Sequence, residues 1–345
     1  MPLQQLLGIE LPIIQAPMAG VQDSPLAIAV SNAGGLGSLP CAMLDANALR
    51  KQVEMLRAGT SRPFNLNFFS HTPPVPDEDA ARAWRALFAG YYAEFGLDAA
   101  AQPSGPARLP FNDEMADVVC EVRPSVVSFH FGLPAPALLQ RVRATGAKIL
   151  ASATTVDEAR WLEAQGVDAI IAQGLEAGGH RGMFLTDDIA TQVGTFALVP
   201  QVVEAVRVPV IAAGGIADAQ GVRAALDLGA AGVQVGTAYM LCPEATTSAL
   251  HRAALKSESA RVTALTNLFT GRPARGIVNR LMRELGPMNP LAPQFPLAAA
   301  VPAPLRAKAE RLGSGDFSPL WAGQNVTGCR EIGAGELTRA LARCV

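Results

Sequence analysis

The segment Gln173-Gly-Leu-Glu-Ala-Gly-Gly-His-Arg-Gly182 brings an amide, a glycine pair and an imidazole close together. The Gln173 carboxamide can hydrogen-bond the edge of a heterocycle. Gly178 and Gly179 let the chain lie flat over a bound ring. The imidazole of His180 has an ordinary pKa of about 6.5, which suits proton transfer near neutral pH. The bland alternative is an exposed, polar, flexible loop with an idle histidine. Arg181 reads either as an attractor of anions or as a solvated cation.

Two glycine sites add a second kind of chemistry. Ile211-Ala-Ala-Gly-Gly-Ile-Ala-Asp218 puts Gly214 and Gly215 directly after an apolar run, and Val233-Gln-Val-Gly-Thr237 does the same with Gly236. Glycine permits close backbone approach, and N–H groups at a helix start favour a phosphate dianion. Alone, the glycines suit a flavin nucleotide and a sugar phosphate equally. The other histidines are less pointed. His130 lies in an apolar strand, as a core residue or a mouth residue. His71 reads as a loop-capping residue and His251 as a surface residue. No pair has metal-ligand spacing, so no metal site is expected. Asn65 and Asn67 share one strand face. Asn67 is the one nearer the strand's end and the better placed for a ligand.

The elements that must hold these residues alternate between short apolar strands and amphipathic helices. Strands are expected at Ile13–Pro17, Leu36–Leu39, Phe64–Phe69, Ser125–Phe131, Lys148–Ser152, Ala169–Gln173, Val208–Ala213 and Gly232–Gly236. Asp45, Thr155 and Asp218 begin helices, and Gly59, Gly166 and Gly229 end them. Continuously apolar strands suit a parallel sheet covered on both faces. The expected fold is α/β, a TIM (β/α)8 barrel with a smaller cap domain or insertion. A doubly wound sheet is the runner-up, but it places its glycine fingerprint after the first strand. The barrel is expected over 1–242, with an insertion near 77–123. That insertion comprises helix-like Asp77–Phe95, the Pro/Gly/Ala stretch Leu97–Pro110 and helix Asn112–Arg123. A proline-rich cap is expected at 243–300, and 301–345 returns to the barrel.

Barrel chemistry sits at the C-terminal ends of strands. No Asp or Glu ends any of these strands, which argues against Mg²⁺ chemistry and a carboxylate pair. Of the four lysines, Lys51, Lys148, Lys256 and Lys308, only Lys148 touches a strand, at its wrong end, so a Schiff-base lysine is not expected. What remains is glycine, amide, hydroxyl and imidazole, a mouth that needs a cofactor for difficult chemistry.

Composition narrows the classes further. The 345 residues are 50% apolar and 17% charged, with a net charge of −2, so no basic field exists for nucleic acid. Residues 24–44 are uncharged, but Ser31, Asn32, Gly34, Gly35, Gly37, Ser38 and Pro40 argue against a membrane span. The N-terminus lacks the pattern of a signal peptide. The five cysteines are dispersed, so a reduced cytoplasmic protein is expected.

Together, Gln15-Ala-Pro-Met-Ala-Gly20, Asn65-Leu-Asn-Phe-Phe69, Ser128-Phe-His-Phe-Gly132, Gln173 through Gly182, Ala212-Ala-Gly-Gly-Ile216, Gln234-Val-Gly-Thr237 and Leu320-Trp-Ala-Gly-Gln324 resemble the nitronate monooxygenases, formerly called 2-nitropropane dioxygenases, and in particular their class I group. The resemblance spans residues 13 to 324. It implies an FMN-containing TIM barrel with a smaller cap that oxidises a nitronate or nitroalkane, notably propionate 3-nitronate, with O₂. By matching motif, Ala16, Pro17 and Met18 lie beside the flavin, and Asn67 and Gln173 bind its polar edge. Gly178 packs on it, while Gly214, Gly215 and Gln234, Val235, Gly236 and Thr237 hold its phosphate end. His180 matches the catalytic histidine and His130 a residue near the substrate. Related members often carry tyrosines and a lysine near the substrate, whereas this chain has only Tyr91, Tyr92 and Tyr239. The nearest alternative is an FMN-dependent NAD(P)H reductase of the same superfamily, for an enoyl-acyl-carrier protein or a quinone. A non-catalytic phosphometabolite-binding barrel is the alternative of another class.

Overall fold

The structure, a computed structural model, describes residues 2–98 and 108–345. Most of the Pro/Gly/Ala stretch, residues 99–107, lies outside the described residues. The strands are β1 (Ile13–Gln15), β2 (Gly37–Pro40), β3 (Phe64–Phe69), β4 (Val126–His130), β5 (Lys148–Ala153), β6 (Ala169–Gln173), β7 (Gly179–His180), β8 (Val210–Ala213), β9 (Gly232–Val235), β10 (Thr263–Thr266) and β11 (Ala274–Ile277). Eight of them form one sheet in the order β1-β9-β8-β6-β5-β4-β3-β2, every neighbouring pair parallel. A parallel bridge between Ile14 and Leu36 joins the two ends, with Leu36 N–H donating to Ile13 O at 2.9 Å. The sheet is the expected barrel.

Burial is continuous along β2, β6 and β8, as a sheet covered on both faces requires. Leu26, Val30, Leu49, Val53, Leu139 and Leu198 on the helices pack against the outward strand residues. The barrel interior holds Ile14, Leu36, Val126, Leu150, Ile171 and Ile211. A short helix, Leu3–Leu7, which the sequence pattern did not suggest, plugs the N-terminal end with Leu3 and Leu7. The barrel is therefore sealed at one end and open at the other.

Asp45 caps helix Ala46–Gly59 as expected, accepting from Ala48 N–H at 2.8 Å. Gly59 is the last residue of that helix, one beyond the expected Ala58, and a Cβ there would meet Ile28 Cδ1 at 2.6 Å, so its smallness also serves helix–helix contact.

The two helices expected in the 77–123 insertion pack against different bodies. Helix Asp113–Val122 lies on the barrel wall, with Ala116, Val119 and Val122 in the main core. Helix Glu78–Glu94 joins the cap: Trp84, Phe88 and Tyr92 pack with Leu268, Phe269, Met282, Leu305 and Phe317. Trp84 Nε1 donates to Ala298 O at 3.1 Å and the Tyr92 hydroxyl to Val301 O at 2.8 Å. Helix Pro302–Arg311 belongs to the same cluster through Leu305 and Ala309, and helix Ala334–Leu341 returns to the barrel. The cap also has a small antiparallel sheet, β10-β11-β7, whose last strand comes from the barrel loop after β6.

Two glycines make the packing testable. A Cβ on Gly37 would stand 2.0 Å from Ala27 O and 2.6 Å from Ala27 C, main-chain atoms of a buried helix. Gly37→Ala should destabilise by about 3 kcal/mol or more, at the upper end of overpacking penalties. Gly90, on helix Glu78–Glu94, has nothing within 4 Å of the Cβ position, so Gly90→Ala should stabilise by about 0.5–1 kcal/mol. Urea unfolding of both variants checks the pair.

Candidate active site

The open end of the barrel forms a cleft at the C-terminal ends of the strands. Ala16, Pro17, Met18, Asn67, His130, Gln173, Gly178, Gly179, His180, Gly214, Gly215, Gln234, Gly236 and Thr237 all line it. Val235 does not. The two-residue period of β9 turns Gln234 inward and buries Val235 among the wall residues.

One end of the cleft is floored by backbone. Gly214 and Gly215 have φ of +115° and +72°, conformations that side-chain-bearing residues rarely adopt. A Cβ on Gly178 would stand 2.6 Å from Ala322 C and Gly323 N. The C-terminal segment closes this floor, with Gly323 N–H donating to Thr237 Oγ1 at 3.0 Å and Asn325 Nδ2 to Gly215 O at 3.0 Å. Above it, the buried Oε1 of Gln234 has no hydrogen-bond partner. An unpaired buried acceptor beside a cradle free of side chains suits a polar heterocycle with a phosphate tail.

The other end of the cleft is built around His180. The loop after β6 is not flexible. Gly179 and His180 pair antiparallel with Arg275 and Ala274 of β11, and Arg181 N–H donates to Pro273 O at 2.8 Å. Arg181 is neither solvated nor an anion attractor. It is fully buried, donating to Gly174 O and Gln173 O at 2.7 Å each and to Gln192 Oε1 at 2.9 Å. Gln173 uses its amide on the same loop: Nε2 donates to His180 O at 2.9 Å, and Oε1 accepts from Gly182 N–H at 2.8 Å.

His130 Nε2 lies 3.2 Å from His180 O and Nδ1 lies 3.0 Å from Ser152 Oγ. A carbonyl only accepts, so Nε2 carries the proton and Nδ1 accepts from the Ser152 hydroxyl. His180 Nε2 lies 2.9 Å from Thr270 Oγ1, which lies 3.5 Å from Arg272 O. A hydroxyl donating to that carbonyl accepts from Nε2–H and leaves the lone pair on Nδ1 of His180. Phe69, Phe131, Phe295 and Trp321 surround the His180 ring at centroid distances of 5.4–6.2 Å. Phe131 holds φ of +69°, a left-handed conformation costing about 1–3 kcal/mol, and the Arg272 guanidinium lies 4.2 Å above its ring.

Burial disfavours the charged form of each imidazole here, and neighbouring cations push the same way. His130 is lowered to about 3, chiefly by burial, with Arg272 and Arg181 adding to it. His71 is lowered to about 4 by burial and then by Arg272. It is buried and its Nδ1 has no partner, while a hydrogen bond to the backbone of Arg108, in the loop ahead of Phe111, works against the shift. His180 falls well below its ordinary value through burial and then the charge of Arg108. His251 is a buried residue, not a surface one: its Nε2 donates to Trp321 O at 3.0 Å, and burial lowers it to about 4.

Asn67 Nδ2 donates to Ser128 Oγ at 2.9 Å, and Asn65 Nδ2 donates to the same oxygen at 2.8 Å. Only Asn67 reaches the cleft. Sequence reasoning missed Arg108, Thr270, Arg272, Phe295 and Asn325. All but Arg108 come from the cap or the C-terminal segment, and no local spacing connects them to the strand ends.

Among the described residues, no group of His, Cys, Asp or Glu could hold a metal ion. No described helix is long and apolar enough to cross a membrane.

Comparison with known proteins places this architecture. The family model for nitronate monooxygenase matches residues 1–343. A nitronate monooxygenase of Pseudomonas aeruginosa is 44% identical over 98% of this chain and 97% of its own length. One from Paraburkholderia phytofirmans is 43% identical over 99% and 94%. Among solved structures, nitroalkane oxidase from Streptomyces ansochromogenes superposes with a TM-score of 0.90 at 40% identity, covering 99% of this chain and 96% of that one. FabK from Thermotoga maritima superposes with a TM-score of 0.73 at 28% identity, covering 98% and 93%.

The lowered imidazoles fix the sign of a pH effect. In the unfolded chain these histidines take up protons near pH 6.5, whereas in the folded protein His71 and His251 do so only near 4 and His130 near 3. Stability is full above about pH 6.5 and falls as pH drops from there toward 4, because the unfolded state binds more protons. The thermal midpoint by circular dichroism should decline through this window. A flat midpoint between pH 6.5 and 5 would mean that the imidazoles charge in place.

Proposed function

The chain belongs to the nitronate monooxygenase family, and from that premise we propose that it binds FMN in the barrel mouth and, with O₂, oxidises small alkyl nitronates such as propionate 3-nitronate to carbonyl compounds and nitrite. The carrying observation is a neutral, aromatic-walled His180 held rigidly over a cleft whose far end is a backbone cradle. Gly214, Gly215, Gly236 and Thr237 would hold the phosphate, Gln234 would meet the ring's polar edge, and Ala16 to Met18 would flank it. Bound FMN supplies the electron acceptor that the side chains lack.

The chain's own residues handle the proton and the solvent. With its lone pair free at neutral pH, His180 removes the proton from the α-carbon of a neutral nitroalkane. With a nitronate already formed, His180 would hold the nitro oxygens in its other tautomer, with the proton on Nδ1 and the Thr270 hydroxyl donating to Nε2. Phe69, Phe131, Phe295 and Trp321 keep water from this contact, which strengthens it. His130 and Gln173 act through the His180 carbonyl and are positioning residues. The unpaired cysteines support a reduced, cytoplasmic setting.

The purified protein should be yellow, with one FMN per chain. It should consume O₂ with a panel of nitronates, and propionate 3-nitronate should reduce its flavin without air. Bleaching by NADH, with no response to any nitronate, would instead favour the reductase reading, which the weaker likeness to FabK keeps in view. A colourless protein would sink both.

Two variants test the placement. His180→Asn should retain FMN and lose about 10²–10⁴-fold in kcat/KM with neutral nitroalkanes, the range of general acid–base catalysis. Full activity would remove the residue from the reaction. Gly215→Asp should release FMN, since it strains a positive-φ position and sets a carboxylate beside Glu176, whose Cβ would be 3.3 Å from the new Cβ. Retained stoichiometric FMN would move the phosphate elsewhere.

A further inference from the structure

The segment Gly323-Gln-Asn-Val-Thr-Gly-Cys329 lies along the phosphate end of the cleft as an irregular strap. It belongs to no helix or strand, yet it is tied to all three loops that form the backbone cradle. On the loop after β6, Gln324 N–H donates to Glu176 O at 3.0 Å. On the loop after β8, Asn325 Nδ2 donates to Gly215 O at 3.0 Å. After β9, Thr237 takes two bonds: Gly323 N–H donates to its Oγ1 at 3.0 Å, and the Cys329 thiol to its carbonyl at 3.1 Å. The fit is close. A Cβ on Gly328 would stand 2.0 Å from Ala217 O, and one on Gly323 would stand 2.9 Å from Glu176 O.

Of the strap's side chains, only that of Asn325 lines the cleft. Its amide does two things. Oδ1 accepts from Thr327 N–H at 3.1 Å and from Thr327 Oγ1 at 2.7 Å, which shapes the strap's own turn. Nδ2 reaches outside the strap and fastens it to Gly215. Apolar anchorage is slight, since only Val326 and Cys329 pack on a hydrophobic cluster, and each only in part. Segments with few buried apolar contacts open locally at low cost. The bonds to Gly215 and Thr237 fall on residues placed above to hold the phosphate. Strap closure and cofactor binding therefore share the same loops, and by reciprocity each favours the other.

We propose that the strap 323–329 opens to admit and release FMN, and that Asn325 is the positioning residue that holds it shut. The rate of cofactor exchange then follows strap opening. The proposal rests on the FMN reading above and deepens it.

Cys329 reports the state of the strap. Its thiol is half-buried and bonded to Thr237 O, and burial pushes it up to about 12, so the closed strap should resist alkylation. The exposed Cys120 serves as the internal reference. Labelling by N-ethylmaleimide is followed by peptide mass spectrometry with and without FMN, and FMN release by the rise of flavin fluorescence after dilution. In wild type, FMN should slow labelling of Cys329 about tenfold and leave Cys120 unchanged. Asn325→Ala should release FMN about 3–10-fold faster, the scale of one neutral hydrogen bond. It should speed Cys329 labelling of the FMN-free protein by a similar factor. Asn325→Asp keeps the oxygen that Thr327 donates to and loses the donor to Gly215 O, so it carries the test should the alanine variant fold poorly. Its labelling is read without FMN, where no phosphate repels the new carboxylate. Equal Cys329 labelling with and without FMN, or variants whose FMN release or Cys329 labelling matches wild type, overturns the proposal. A protein that takes up no FMN rejects the cofactor reading itself, and Cys329 labelling of the FMN-free variants then still judges whether Asn325 holds the strap.

Discussion

The site depends on a short piece of backbone pairing. Gly179 and His180 leave the barrel after β6 and become the edge strand of the cap's sheet, opposite Ala274 and Arg275. Arg181 extends that anchorage, with its N–H on Pro273 O and its guanidinium on the carbonyls of Gln173 and Gly174. The His180 imidazole is thus fixed from both sides, by the last residues of a barrel strand and by the cap. Loss of the cap sheet would free His180 on one side. Helix Glu78–Glu94, inserted after β3, packs Trp84 and Phe88 into the cap core and gives the cap a second attachment to the barrel.

The charge pattern of the cleft follows from what is absent at the strand ends. With no carboxylate ending a strand, the ionisable side chains that face His180 are Arg108, Arg272, His71 and His130. All are cations or potential cations. Each disfavours a proton on His180, and each favours an anionic ligand beside it. One arrangement therefore keeps His180 unprotonated and favours an anionic ligand in the cleft. In a triad, by contrast, a buried carboxylate stabilises the imidazolium. That would suit a histidine that must hold a proton, and it would repel this class of substrate.

The barrel was legible because its strands are short, continuously apolar and bounded by caps and glycines, signals that depend on neighbours in sequence. The glycine sites were legible for the same reason, since Gly214, Gly215 and Gly236 directly follow strands. The limits are equally physical. Helix Asp113–Val122 is a wall element, but sequence alone could not divide the 77–123 stretch between barrel and cap, because the division is made by Trp84 meeting Ala298 across the chain. Gly59 ends its helix as its type suggests, but its close approach to Ile28 comes from another helix and left no local mark. His251 looked solvated because its helix is rich in Arg and Ala, but the Trp321 carbonyl buries it. Arg108, Thr270 and Arg272 reach the site only through tertiary packing, so no spacing marked them.

The same distinction separates touching a ligand from holding the residue that does. His130 and Gln173 both line the cleft, and either could have been taken for a direct contact. Their hydrogen bonds converge on one atom, the main-chain oxygen of His180, from Nε2 of each. That carbonyl fixes the tautomer of His130, and the Ser152 hydroxyl donates to its Nδ1. A carbonyl that accepts two donors, in a strand that is itself paired, leaves the residue little rotational freedom. The imidazole is aimed by its own backbone and needs only a neutral hydroxyl, Thr270, at Nε2. Orientation without a carboxylate is what permits a cleft of a single sign of charge, and that sign is the one an anionic substrate requires.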